Sequence, residues 1–166
     1  MSSFGIFARI DDKRVLDAMR NTPRVMLKHL ERGLDRAAHE VAREERRVTP
    51  KAFSTLTNSV QVLRTGRLER VIAPGVDYAP MVEEGTGPGG NPPQQTLVDW
   101  IRAKRIEPRD PTMDVEDLAF VIGRSIREKG TRPQPFAQPT HEKMQGRVVE
   151  LVRQSAMDGL REVGLQ

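Results

Sequence analysis

The longest uninterrupted pattern in the chain does most to limit its fold. Asn21, Thr22 and Pro23 form a helix-start signal, with Thr22 as N-cap and Pro23 at the first helical position. From there to about Arg47, Leu27, Leu30, Leu34, Ala37, Ala38 and Val41 recur at three- and four-residue spacing. Arg32, Arg36, Arg43 and Arg46 interleave with Glu31, Glu40, Glu44 and Glu45 on the remaining faces, which allows several ion pairs one turn apart. Pro50 closes the element. A long amphipathic helix of this kind needs something apolar to lie on, and the rest of the chain has to provide it.

Before it, residues 4–10 (FGIFARI) alternate loosely and read as a strand. Asp11 or Asp12 then caps a short helix carrying Val15, Leu16 and Met19. After it, SVQVL and RLERVIA flank Thr65-Gly66 and predict a hairpin. Gly66 takes the turn position that wants positive φ, and Leu68 and Ile72 share one face. Residues 85–93 are a Gly/Pro loop, expected to be exposed. QTLVDWIRAKRI predicts a short helix anchored by Leu97, Trp100, Ile101 and Ile106. Asp114 caps a second helix that ends at Gly130. Pro133, Pro135 and Pro139 hold the next segment out of helix until about Thr140, where a last helix runs to Val163. The expected fold class is therefore α+β: a small antiparallel sheet packed with a long N-terminal amphipathic helix and a C-terminal helix. Residues 1–166 form a single domain, with the exposed loop at 85–93 and a helical insertion at about 94–130.

Composition narrows the function classes. Hydrophobic residues are 37% of the 166 and charged residues 30%, with five Phe, one Tyr and one Trp. So lean a core suggests that apolar faces are completed against copies or partners. The net charge of +4 is spread out, and there is no run of like charge of the kind that makes a nucleic-acid tail. The absence of cysteine excludes disulfides, thiolate metal sites and a cysteine nucleophile. No apolar run approaches the ~20 residues that span a bilayer, so a soluble protein assembled in the cytoplasm is expected, without a membrane partner.

The stretch YAPMVEEGT, residues 78–86, is the densest cluster of functional residue types. Glu83 and Glu84 are neighbours, so on a helix they point about 100° apart and cannot form a facing acid/base pair. His29 and His39 are ten residues apart, too far for a one-turn metal pair, and His141 stands alone. FSTLTNS lacks a nucleophile elbow, and GTGPGG lacks the Gly-Lys-Ser/Thr ending of a phosphate loop. No enzyme, cofactor or metal is expected. The basic residues Arg102, Lys104 and Arg105 beside Trp100 support a different alternative, a nucleic-acid-binding accessory protein.

Taken together, VTPKAFSTLTNSV after the long helix, YAPMVEEGT after the hairpin and RPQPF before the last helix resemble the neck or tail-completion proteins of long-tailed bacteriophages, relatives of tail terminators. The matching positions are Pro50, Leu56, Ser59, Tyr78, Ala79, Val82, Glu83, Gly85, Thr86, Pro133, Pro135 and Phe136. The chain departs from the family pattern at KAFSTL, where members usually carry Asp-Thr-Gly-x-Leu, and in its longer helical segment after Thr86. The resemblance implies a virion protein of the head–tail junction without catalytic residues. It would form a homo-oligomeric ring, expected to be a hexamer, beside other neck and tail proteins, with phage DNA passing through the lumen. It also implies a framework role for Tyr78, Val82, Glu83, Gly85, Thr86, Pro135 and Phe136. Tyr78 is then expected to pack, Pro80 to start a helical turn that Gly85 ends, and Glu83 to cap a helix or pair with an arginine.

Overall fold

The computed structural model describes residues 13–51 and 54–164, with side chains from Arg20 onward. The elements are α1 (Lys13–Val48), α2 (Thr55–Ser59), β1 (Val60–Gly66), β2 (Glu69–Pro74), α3 (Ala79–Glu84), α4 (Gln94–Lys104), α5 (Val115–Lys129) and α6 (Ala137–Glu162). The fold is α+β, with a two-stranded antiparallel sheet packed with a long N-terminal helix and a C-terminal helix. The strand expected at residues 4–10 lies outside the described residues.

The spine is the antiparallel pair α1 and α6. Ala37, Ala38 and Ala42 of α1 and Leu151 of α6 are buried. The helices approach closely because a small residue stands at the crossing: a Cβ on Gly33 would lie 2.2 Å from Ser155 Oγ. Ion pairs flank the seam. Arg147 Nε donates to Glu40 Oε2 at 3.0 Å, and Lys143 Nζ to Glu44 Oε1 at 2.6 Å. At the other end, His29 Nε2 lies 2.6 Å from Glu162 Oε2. Exposed pairs of this kind add little each, so burial of the alanine stripe carries the seam.

Two local expectations are corrected. There is no helix start at Thr22, because α1 runs unbroken through Pro23. Proline removes one rung, but its fixed φ suits a helix, and packing of Met26 and His29 against Gly159 holds the chain helical just beyond it. In the hairpin, Gly66 is not the turn residue. It ends β1 opposite Glu69, next to a register shift between Arg64 and Gly66, and the turn is Arg67-Leu68. Gly66 is also not among the positive-φ glycines. Leu68 is exposed at the turn and does not share a buried face with Ile72.

The acids of α1 mostly serve other elements. Arg67 Nε donates to Glu31 Oε1 at 2.5 Å, Arg64 Nη2 lies 3.3 Å from Asp35 Oδ2, and Arg70 Nε bonds Asp35 Oδ1. The hairpin is thereby clamped onto the middle of α1 by three arginines.

Helices α4 and α5 have a core of their own, in which Leu97, Val98, Ile101 and Ala119 are buried and Trp100, Ile106, Leu118, Ile122 and Ile126 pack around them. As the sequence predicts, Asp114 begins α5, here in a reciprocal capping box with Asp117, and Gly130 ends it. Helix α6 starts at Ala137, earlier than the predicted Thr140, because Pro139 falls in the first turn, where its missing N–H has no helical partner to lose. Ile101→Ala is expected to cost about 2–5 kcal/mol locally. Hydrogen exchange should then accelerate in α4 and α5 while α1 and α6 keep their protection.

Candidate functional site

The site is built where three short segments meet. Helix α3 begins after Tyr78, with Pro80 in its first turn, and ends at Gly85, whose φ of 74° with ψ of −175° is a positive-φ conformation open to glycine and strained for other residues. A side chain there would also collide, since a Cβ would stand 2.5 Å from the Thr131 carbonyl oxygen. Thr86 then pairs antiparallel with Thr131: its N–H donates to the Thr131 carbonyl at 3.2 Å and its carbonyl accepts from Thr131 N–H at 3.1 Å. The Gln134 N–H donates to the Val82 carbonyl at 2.9 Å. Pro133 and Pro135 favour extended backbone for their neighbours, and the chain runs along α3 into Phe136. Phe136 is 1% exposed and packs with Leu56 of α2 and Ala79 of α3, with Val76, Val82 and Ala137 around them.

Phe136 is also the N-cap residue of α6, and an aromatic side chain cannot accept the N–H groups of a helix start. Glu83 does so from α3. Its Oε2 accepts from the N–H groups of Phe136 at 2.7 Å and Ala137 at 3.0 Å, and its Oε1 from Gln138 at 3.0 Å. Pro139 has no N–H, so one carboxylate serves every donor from 136 to 139. Burial works against its charge, but the three donors together outweigh burial and hold the Glu83 carboxyl below the ordinary 4.5. Of the two roles the resemblance allows, Glu83 takes the cap, within its own subunit.

A second carboxyl responds to the first. Glu45 of α1 is 4% exposed and its Oε1 has no partner. Burial, and then the nearby Glu83 carboxylate, push its carboxyl above 4.5, with Arg46 partly opposing. Arg46 itself donates from Nε to the Val60 carbonyl at 3.1 Å, which ties the end of α1 to the start of β1.

Tyr78, expected to pack, is 42% exposed. It stands at the rim of a cavity of about 580 Å³ that Leu56, Val82, Trp100, Lys51 and Lys104 also line. Pro135 is exposed on the segment that leads to Phe136. The three basic residues of α4 are exposed, and two have partners within the subunit. Arg102 Nη2 lies 2.7 Å from Glu116 Oε1, and Lys104 Nζ donates to the Lys51 carbonyl at 2.5 Å. Arg105 is the left-handed C-cap of α4, with φ 53°. Trp100 packs against the α4–α5 core from one side. Among the described residues no group of three or more His, Asp or Glu stands close enough to hold a metal, and no helix is long and apolar enough to cross a membrane.

Sequence reasoning missed Glu45 and Arg70. The signal was present, because Glu45 continues the stripe Leu34, Ala38, Val41 by one more turn, and strand alternation puts Arg70 on the face of Ile72. No family model, curated protein or solved structure matches this chain.

Glu83→Gln is expected to lower stability by about 1–2 kcal/mol, because an amide offers one accepting oxygen where a charged carboxylate offered two. The pH dependence has a definite sign. With its folded pKa below 4.5, Glu83 contributes fully above 4.5 and loses that contribution as the pH falls through the lowered value. Thermal melts should therefore show the gap between wild type and Glu83→Gln closing in acid.

Glu45 has the opposite sign. Its folded pKa is raised, so its contribution is complete below 4.5 and is lost as the pH rises through the raised value. Glu45→Gln is expected to raise the melting temperature at neutral pH and to match wild type in acid.

Proposed function

We propose that the chain is a non-enzymatic structural protein of the head–tail junction of a tailed bacteriophage. On this reading it is a neck, tail-completion or tail-terminator subunit that forms a homo-oligomeric ring, of six copies by expectation. Neighbouring neck and tail proteins contact the ring, and DNA passes through its lumen. The observation that carries the reading is the convergence of the three segments on which the family resemblance rests. Leu56, Ala79 with Val82, and Phe136 meet in one buried cluster, and Glu83 fastens the second segment to the third. A motif set dispersed over about 80 residues and spent on mutual packing suits a framework rather than a reaction centre.

Exposed apolar side chains support the assembly part of the reading. Phe120 and Val121 are adjacent on α5 and 60% and 50% exposed, Met81 on α3 is 58% exposed and Val149 on α6 is 66% exposed. In a chain with so lean a core, surfaces of this kind favour burial against copies. The test is sedimentation velocity with negative-stain imaging of the purified chain, with and without duplex DNA at moderate salt. A discrete oligomer with a central opening, unchanged by DNA, is expected. A monomer that binds DNA with a steep salt dependence would instead establish the nucleic-acid-binding alternative.

A further inference from the structure

A groove of about 630 Å³ runs beside the sheet. Its floor is the α1 stripe Leu34, Ala38, Val41 and Glu45, one wall is the start of α6, and the other is β2 through Arg70, Val71 and Ile72. Successive strand residues point to opposite faces, so three consecutive lining residues mean that the groove follows the edge of β2 rather than one face. Strand β2 bonds β1 on its other side, and among the described residues no strand lies on this edge. An open edge of this kind is a template for another strand.

Two buried groups on the groove lack partners. The Arg70 side chain is 2% exposed and its Nη2 has no acceptor, and Glu45 Oε1 has no donor. Both atoms lie beneath the groove surface, so the exposed demand of the groove is the strand edge itself, and a polypeptide backbone, with an N–H and a C=O at nearly every residue, answers it where a hydrocarbon occupant cannot.

An extended segment of alternating, largely apolar character suits such an edge, and the stretch 4–10, outside the described residues, has that pattern. Its own subunit's groove is out of reach. From Lys13 to Leu34 the continuous helix α1 advances 21 residues, roughly 32 Å at 1.5 Å per residue. Ile10 is three residues from Lys13, a span of at most about 10 Å. Even Phe4, nine residues away, reaches at most roughly 30–32 Å when fully extended, which brings that one end no further than the mouth of the groove and leaves the rest of the stretch outside it. The groove itself, from Leu34 to Glu45, spans roughly 16 Å, a length that about five extended residues cover.

We propose that residues 4–10 of a second copy of this chain add to the free edge of β2 and fill this groove, so that neighbouring subunits are joined by an exchanged strand. The proposal rests on the homo-oligomeric part of the reading above, and on neither ring closure nor a place in a virion.

The chain has no cysteine, so single ones can be placed at will. Ile6→Cys in one tagged chain and Val71→Cys in another, co-expressed and treated with a short bis-maleimide, can form the mixed product only between chains. The expected result is a mixed cross-link at least fivefold above an Ile6→Cys with Ala103→Cys control, and loss of the oligomer when residues 2–10 are deleted. An oligomer without excess cross-link, or one that survives the deletion, overturns the exchanged strand and leaves the assembly reading standing. A wild-type chain that sediments as a monomer overturns both. A cross-link confined within single chains that carry both substitutions, at high dilution, also overturns the proposal, because it would require α1 to break at Pro23 and fold the segment back.

Discussion

The carboxylate of Glu83 at the start of α6 is the contact on which the arrangement of the smaller elements depends. A helix of 26 residues begins there on a residue that cannot cap it, directly after an extended proline segment. Left alone, the partly buried Phe136 and Ala137 donors would lack acceptors, at a cost of up to about 1–3 kcal/mol for each unsatisfied group. One acidic side chain from α3 removes the problem and adds a favourable interaction with the positive end of the helix. Through that contact the position of α3 is coupled to the start of α6, and α6 is coupled to α1 along the alanine seam.

The same contact explains why Phe136 can occupy an N-cap position. Its backbone donates to Glu83 while its ring fills the space between Leu56 and Ala79. Backbone satisfaction and side-chain burial are thus supplied by different partners, and neither requires the other to give way. Glu45 shows the cost of placing the motif here. It lies on the buried stripe of α1 near the Glu83 carboxylate, and both burial and that charge favour its neutral form. The two carboxyls are pushed in opposite directions because Glu83 meets three N–H donors, while Glu45 is buried and faces the Glu83 charge.

Periodicity made the large elements legible. The apolar spacing from Leu27 to Val41 marked α1, Leu97 to Ile106 marked α4, and the Asp114 and Gly130 signals bounded α5, because each is a local property of the chain. The elements that depended on tertiary partners were misplaced. Pro23 reads as a helix start in isolation and is carried through by packing on α6. Gly66 reads as a turn residue, yet the hairpin turns at Arg67-Leu68, where arginines reach Glu31 and Asp35 of α1. At the candidate site, Pro80, Gly85 and Phe136 are singled out through the resemblance, and their residue types suit the first turn, the positive φ and the buried anchor that they supply. That the Glu83 acceptor would face three N–H groups 53 to 55 residues away could not be read in this way.

The root of the α4–α5 segment shows how a long excursion leaves this framework undisturbed. The chain departs from α3 at Gly85-Thr86 and returns at Thr131, and the two threonines are bonded to each other through both backbone and side chain. All of α4 and α5 lies between them, with a separate apolar core. Because loop-closure entropy rises only slowly with length, a pinched root lets the excursion be long at little cost to the framework. The bridge holds the ends in one register, so Gln134 still meets Val82 and Phe136 still meets Glu83. The whole α4–α5 excursion after Thr86 therefore lies outside the contacts that make the clasp. The α4–α5 segment is free to carry exposed side chains such as Phe120 and Val121, which the clasp itself does not use.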